Sequence, residues 1–140
     1  MIRFANKYDY DKIKDLLIDF YKTYHHVLAV DTSKWSSTHV DLVLSNIEAG
    51  LGFILIDEKS TGFLAAVRIP CLWIPDTYQL QEAMWHGKST RVKVELLKKY
   101  LEIASDWKTN GKITEYYFNS YGESDFTKYN MKQIGHLWSS

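Results

Sequence analysis

The spacing of apolar residues changes several times along the 140-residue chain, and each change predicts an element. Residues 1–5, MIRFA, alternate, with Ile2 and Phe4 on one face of a short strand. In NKYDYDKIKDLLIDFYKTYHH (residues 6–26) the spacing becomes three and four. Ile13, Leu16, Leu17, Phe20, Tyr21 and Tyr24 then form the stripe of an amphipathic helix. Asp9 is its expected N-cap, and Asp11 suits the first turn. A polar connection, VDTSKWSST, leads to a second helix over THVDLVLSNIEAG, with Val40, Leu44 and Ile47 on one face and Gly50 as its stop. LGFILID and FLAAVRI flank a polar turn containing Gly62, which predicts a hairpin. PCLWIPDTY holds both prolines and predicts a loop, and YQLQEAMWH predicts a strand.

A long helix follows. Val92, Leu96, Tyr100, Ile103 and Trp107 form one stripe, and Val94, Leu97, Leu101 and Ala104 form a second beside it. An apolar face that wide belongs against a sheet. Asn110 and Gly111 supply a left-handed stop. ITEYYFNSY has strand composition, SDFTKYNMKQIG reads as a short helix and HLWSS as a last strand. The order is β-α-α-β-β-β-α-β-α-β. Two strands joined by a full helix run parallel, whereas the earlier hairpin is antiparallel. The expected fold is therefore of the α/β (α+β) class. It is one domain over residues 1–140, with a mixed, mostly antiparallel sheet, a central parallel β-α-β crossover and helices on both faces.

Composition narrows the function classes. Seventeen basic residues balance seventeen acidic ones, so a general affinity for nucleic acid or an anionic membrane is not indicated. The basic cluster from Lys88 to Lys99 is spread around its helix and makes no single stripe. Cys71 is the sole cysteine, so no internal disulfide forms, and it reads as a buried packing residue. No apolar run approaches a membrane span and no signal-peptide pattern opens the chain, which makes the cytoplasm the expected location. His25 and His26 are adjacent and point apart, and no metal site is expected. Aromatic residues are 15%, enough to line a cleft.

The chemistry gathers in MWHGKSTRVKVELLKKYLEIASDWKTNGK, residues 84–112. Gly87, Lys88, Ser89 and Thr90 stand at the mouth of the long helix. There, unpaired N–H groups and the helix dipole favour an anion. Two hydroxyls and the cations Lys88 and Arg91 would suit a pyrophosphate. An ordinary helix start, with Ser89 or Thr90 as N-cap and solvated cations, explains the same residues. The string is neither a Walker loop nor a dinucleotide fingerprint.

Four stretches together carry a resemblance: IRFANKYDYDKIKDLLIDFY, AGLGFILIDEKSTGFLAAV, QEAMWHGKSTRVKVELLKKYLEIA and KYNMKQIGHLW. With the order of elements, they make the chain similar to the GNAT superfamily of acyl-CoA-dependent N-acyltransferases. Within it, the chain most resembles the short GNAT-like proteins of tailed bacteriophages. The resemblance implies acetyl-CoA as the cofactor. Gly87, Lys88, Ser89, Thr90 and Arg91 would bind the pyrophosphate, Trp85 and His86 would line the pantetheine or acyl end, and Asn119 would hydrogen-bond the pantetheine amides. It implies Glu82 as the base, with His86 as a rival, and Tyr129 or Tyr121 as the acid. The family motif is Arg/Gln-x-x-Gly-x-Gly/Ala, and here Arg91 and Lys93 stand where small residues are usual. Met131, four residues before Gly135, stands where the acid tyrosine is common.

The function so implied is acetyl transfer to a primary amine by direct attack, in a host cytoplasm if the protein is phage-encoded. The alternatives are a catalytically inactive GNAT-fold protein that binds a host factor or joins a virion, and a GNAT-like protein that modifies a DNA base. The expected partner is an amine acceptor, a small molecule or a protein. No membrane partner is expected, the neutral charge gives nucleic acid no support, and a homodimer is left open.

Overall fold

The computed structural model describes residues 1–24 and 32–118. Its elements run β1 (Ile2–Phe4), α1 (Tyr10–Tyr24), α2 (Ser37–Asn46), β2 (Gly52–Asp57), β3 (Gly62–Pro70), β4 (Tyr78–Gly87), α3 (Thr90–Thr109) and β5 (Glu115–Tyr117). The expected last helix and final strand, and the His25–His26 pair, lie outside the described residues.

The strands lie in the order β1-β2-β3-β4-β5. The first three pairings are antiparallel, and β4 pairs with β5 in parallel across the α3 crossover. Alternation within β2 and β3 divides the core in two. Phe53, Leu55, Leu64 and Ala66 pack with Leu96, Leu97, Tyr100 and Ala104 of α3. Ile54, Ile56, Phe63 and Ala65 pack with Ile13 and Leu16 of α1 and with Leu44 and Ile47. A sheet covered on both faces needs apolar residues at consecutive positions, which is why these strands read as almost unbroken hydrophobic runs.

The start of α1 differs from expectation. Asp9 is not the N-cap. Asn6 is, in extended backbone, and a single 3-10 turn (Lys7–Asp9) precedes the helix. The Asp9 carboxylate returns to the Asn6 N–H at 2.9 Å and takes both guanidinium nitrogens of Arg3 at 2.8 Å. That reciprocal cap ties β1 to α1. At the end of α2 one wide turn (Ile47–Leu51) is broken by Gly50, whose φ of 133° is open to glycine alone at low cost. Gly52 then passes so close to β3 that an added Cβ would lie 1.8 Å from the Ala66 carbonyl oxygen.

Hydrogen bonds from Arg3, aided by the Asn6 amide and opposed by burial, hold the Asp9 carboxyl below its usual range. The stabilisation is therefore complete above the ordinary aspartate pKa of about 3.9 and is lost as the pH falls below it. Asp9→Ala should cost about 2 kcal/mol in urea unfolding at pH 7, and the gap from wild type should close as the pH approaches 3. A gap that stays constant with pH would mean that the carboxylate charge is not what the cap uses.

Candidate functional site

The site begins with a bulge. Along β4 the pairing with β3 shifts by one residue: Ala66 faces Glu82, Ala65 faces Met84, and Ala83 is left over. An extra residue reverses which face each later side chain takes. Leu80 points to α3 before the bulge, and Glu82, two residues on, shares that face. After the bulge, Trp85 packs on the α3 core and Met84 on the α1–α2 core.

Glu82 is 7% exposed. Beside it, Tyr100 reaches in from α3, its hydroxyl donating to the Tyr117 carbonyl and lying 3.4 Å from the Leu80 carbonyl. Those two oxygens belong to β5 and β4. The parallel ladder between these strands covers three registers, Gln79–Glu115 to Gln81–Tyr117, and among the described residues it stops there. Tyr100 thus closes the ladder with a side-chain bond just where Glu82 begins. Burial, with a smaller push from the Glu82 carboxylate, raises the Tyr100 phenol well above its ordinary value.

Beyond the ladder's end lies Trp85. Its indole N–H donates to the Lys93 carbonyl at 3.1 Å, the Lys93 ammonium stands 5.5 Å from the ring centroid, and Phe118 meets the ring edge-on at 6.0 Å. Gly87 is buried under the first turn of α3, where a Cβ would come 2.8 Å from Lys93 Cγ. The Lys88 N–H is held by the Thr61 carbonyl at 2.9 Å. The β2–β3 turn that presents Thr61 is organised by the buried Asp57, which accepts from the Thr61 and Gly62 amides and the Thr61 hydroxyl.

At the helix mouth Ser89 is the N-cap, accepting from Val92 N at 3.3 Å, while Lys93 N bonds the Ser89 carbonyl. These contacts leave the N–H groups of Thr90 and Arg91 as the remaining first-turn donors. Lys88 and Thr90 are exposed. The Arg91 side chain is 87% exposed and reaches Glu95 at 3.1 Å, out along the helix and away from the mouth. Arg91 therefore leaves the first turn uncovered, and the Lys93 stem covers Gly87.

His86 is not brought to Glu82. The bulge turns it to α1, where Nε2 meets Asp19 Oδ2 at 2.7 Å and the ring packs edge-on against Phe20. Its other nitrogen, Nδ1, is buried without a partner among the described residues. Tyr129, Asn119, Tyr121 and Met131 lie outside the described residues. Sequence reasoning missed Tyr100 as a site residue, because a tyrosine in an apolar stripe carries no mark of its hydroxyl's destination. It missed Asp19, which is 67 positions from its partner.

Away from the site, Cys71 is half-buried and not a core residue. Its thiol is held below the ordinary range by the Trp73 and Ile74 amides and the Thr77 hydroxyl. The loop around it exposes Leu72, Trp73 and Ile74. Among the described residues no group of three or more His, Cys, Asp or Glu side chains could hold a metal, and no helix is long and apolar enough to cross a membrane.

A second phenol, Tyr10, is pushed up to about 12 by burial and by the neighbouring Glu48 carboxylate. Stability held by neutral Tyr10 and Tyr100 is complete below about pH 10, the pKa of an unfolded tyrosine, and is lost as the pH rises from there through the folded values. Denaturant midpoints measured from pH 8 to 11 should fall in the wild type. Tyr100→Phe should begin about 1–2 kcal/mol lower at neutral pH and fall less steeply, and an unaltered slope would assign the loss to other groups.

No protein-family model matches the sequence, and no curated protein sequence matches it. Solved structures do match. Glucosamine-6-phosphate N-acetyltransferase from Arabidopsis thaliana superposes with a TM-score of 0.69 at 16% identity, covering 100% of this chain and 96% of that one. An aminoglycoside acetyltransferase from an uncultured soil metagenomic sample, in complex with sisomicin, has a TM-score of 0.66 at 10% identity, covering 100% and 95%. Ribosomal-protein-alanine N-acetyltransferase from Brucella melitensis has a TM-score of 0.59 at 12% identity, covering 100% and 94%. With the mixed five-stranded sheet and its parallel β4-α3-β5 crossover, these matches show that the chain has a GNAT-like fold.

Proposed function

We propose that the protein is an acyl-CoA-dependent N-acetyltransferase that uses acetyl-CoA and acts on a primary amine by direct attack. The observation that carries this reading is the buried carboxylate of Glu82, braced beside Tyr100 on the strand that precedes the α3 crossover. Glu82 lies one residue past the last β4–β5 pairing among the described residues, on the sheet face that α3 covers. The printed activities of the similar structures, acetyl transfer to an aminoglycoside, an amino sugar and a ribosomal-protein alanine, support the reaction class without choosing an acceptor.

The residues at the mouth fit a diphosphate. The Thr90 and Arg91 amides are the first-turn donors left over, and the exposed Lys88 stands beside them, while the Arg91 cation, now on Glu95, is within the same turn. Acetyl-CoA, when bound, supplies an activated thioester. Glu82 accepts the proton that the amine must lose, directly or through water, and Tyr100 positions it by holding the end of the ladder beside it. Backbone N–H groups next to the bulge, near Trp85, polarise the acyl carbonyl. Tyr129 remains the proposed acid for the departing thiolate and Asn119 a proposed pantetheine contact. His86, engaged with Asp19 on the other face, takes no part in proton transfer in this scheme. A phage origin and a host-cytoplasmic site of action belong to the same proposal, on the resemblance alone.

A second reading keeps the fold and drops the catalysis, leaving a protein-binding module. The exposed Leu72, Trp73 and Ile74 favour it, at 85%, 81% and 56% exposure in one short loop.

The readings separate on coenzyme A. At a hundredfold excess over Kd it should stabilise the folded chain by about 2.7 kcal/mol, read as a rise of several degrees in Tm. A flat melting curve at millimolar coenzyme favours the binding module. Given a shift, Glu82→Gln should lower kcat on an amine panel by about 10²–10⁴ while leaving the coenzyme-induced shift in place. Undiminished turnover would remove Glu82 from the mechanism.

A further inference from the structure

We infer that Asp57 is a positioning residue for the coenzyme: the turn it closes holds the mouth of α3 where the Thr90 and Arg91 amides can receive a diphosphate. This rests on the coenzyme reading above. The first ground is the use made of the carboxylate. Asp57 is 5% exposed, and a carboxylate so buried is costly unless its oxygens are used. Oδ1 accepts from the Thr61 and Gly62 amides at 2.6 and 2.8 Å, and Oδ2 accepts from the Thr61 hydroxyl at 2.7 Å. The Ser60 N–H also returns to the Asp57 carbonyl at 2.9 Å. Ser60 has a φ of 55°, a left-handed conformation disfavoured for a residue with a Cβ. The turn therefore depends on Asp57 for its shape.

The second ground is where that shape is passed on. β4 ends at Gly87 and α3 begins at Thr90, so Lys88 and Ser89 alone set where the first turn points. The Thr61 carbonyl and the Gly62 N–H belong to one planar peptide unit. Its N–H goes to Asp57, and its oxygen receives the Lys88 N–H at 2.9 Å. Asp57 thus orients the peptide that pins Lys88. Beneath it, Gly62 and Gly87 face each other in the β3–β4 register. A Cβ on Gly62 would come 2.5 Å from Val92 Cγ1, and one on Gly87 would come 2.8 Å from Lys93 Cγ. The first turn of α3 sits directly on these two bare glycines, and Asp57 fixes the one that belongs to the turn.

The consequence is a preorganised seat, which a diphosphate does not have to order on arrival. Without the carboxylate the Thr61–Gly62 peptide can rotate and release Lys88. The mouth then keeps its receptive form in only a fraction of molecules, and the measured Kd is weakened by that fraction.

The test is calorimetric titration of coenzyme A into the wild type, Asp57→Ala and Asp57→Asn, with amide hydrogen exchange read at Lys88 by NMR. Asp57→Asn keeps one oxygen for the two amides, and the Thr61 hydroxyl can turn to accept from the new NH2 group. Asp57→Ala should bind about tenfold weaker or more and exchange Lys88 about tenfold faster or more, whereas Asp57→Asn should stay within about threefold of the wild type in both. In turnover, Asp57→Ala should raise the KM for acetyl-CoA and leave kcat in place. Leu44→Ala, which opens a cavity on the other face of the sheet, should lose stability with Kd unchanged. Wild-type affinity or wild-type Lys88 exchange in a folded Asp57→Ala would overturn the inference, and so would an equal loss of affinity in Leu44→Ala. Should Asp57→Ala not fold, Thr61→Val deletes only the hydroxyl bond. It should weaken binding and speed Lys88 exchange by about threefold, and no change in either overturns the inference as well. Absence of binding by the wild type is a separate result, which takes down the coenzyme reading and this inference with it.

Discussion

A β-strand shows its side chains to alternate faces, so one unpaired residue decides where everything after it points. In β4 that residue is Ala83. It allows Glu82 and Trp85, three positions apart, to share the α3 face, and it sends His86 to the α1 face, where Asp19 receives it. In a regular strand His86 would stand with Glu82, and Trp85 would face α1. The carboxylate, the indole and the helix mouth lie on one side of the sheet because of this single displaced register.

The other constraint sits at the last β4–β5 pairing among the described residues, Gln81–Tyr117. An unpaired buried carbonyl is costly, and Tyr100 gives its hydroxyl to the Tyr117 carbonyl from the middle of α3. The helix whose first turn offers free amides thus also braces β5 beside Glu82. Charge follows the same economy. The chain is neutral as a whole, yet Lys88, Arg91 and Lys93 stand within the loop and first two turns of α3, with Glu95 answering Arg91 on its outer side. An anion at the mouth would meet a local positive field that the net charge conceals.

Legibility in the sequence tracked the range of the interaction. The wide apolar face of α3 and its Gly111 stop were readable, because a repeat of three and four survives in the string and Gly111 takes a φ of 79°. The β2–β3 hairpin was readable from two apolar runs around a turn. The Asp9 reading failed locally. Asn6 can cap as well as Asp9, and the cap went to the residue three earlier once Arg3, brought over by β1, claimed the Asp9 carboxylate. Cys71 was misread because its flanking apolar residues suggested a core, whereas two prolines and a left-handed Asp76 carry the loop out to solvent.

Among the described residues, the sequence by itself determined the main helices and strands, their order, the parallel crossover and the presence of hydroxyls and cations at the start of α3. All of these follow from spacing along the chain and from the chirality of strand-helix-strand connections. Only the tertiary structure decided that Ala83 would be extruded, that Tyr100 would bond the Tyr117 carbonyl, that Trp85 would pack on the α3 side and that His86 would find Asp19. Each of these outcomes is set by a partner on another element, and a one-residue change of register leaves no trace in the periodicity of a strand that is apolar on both faces.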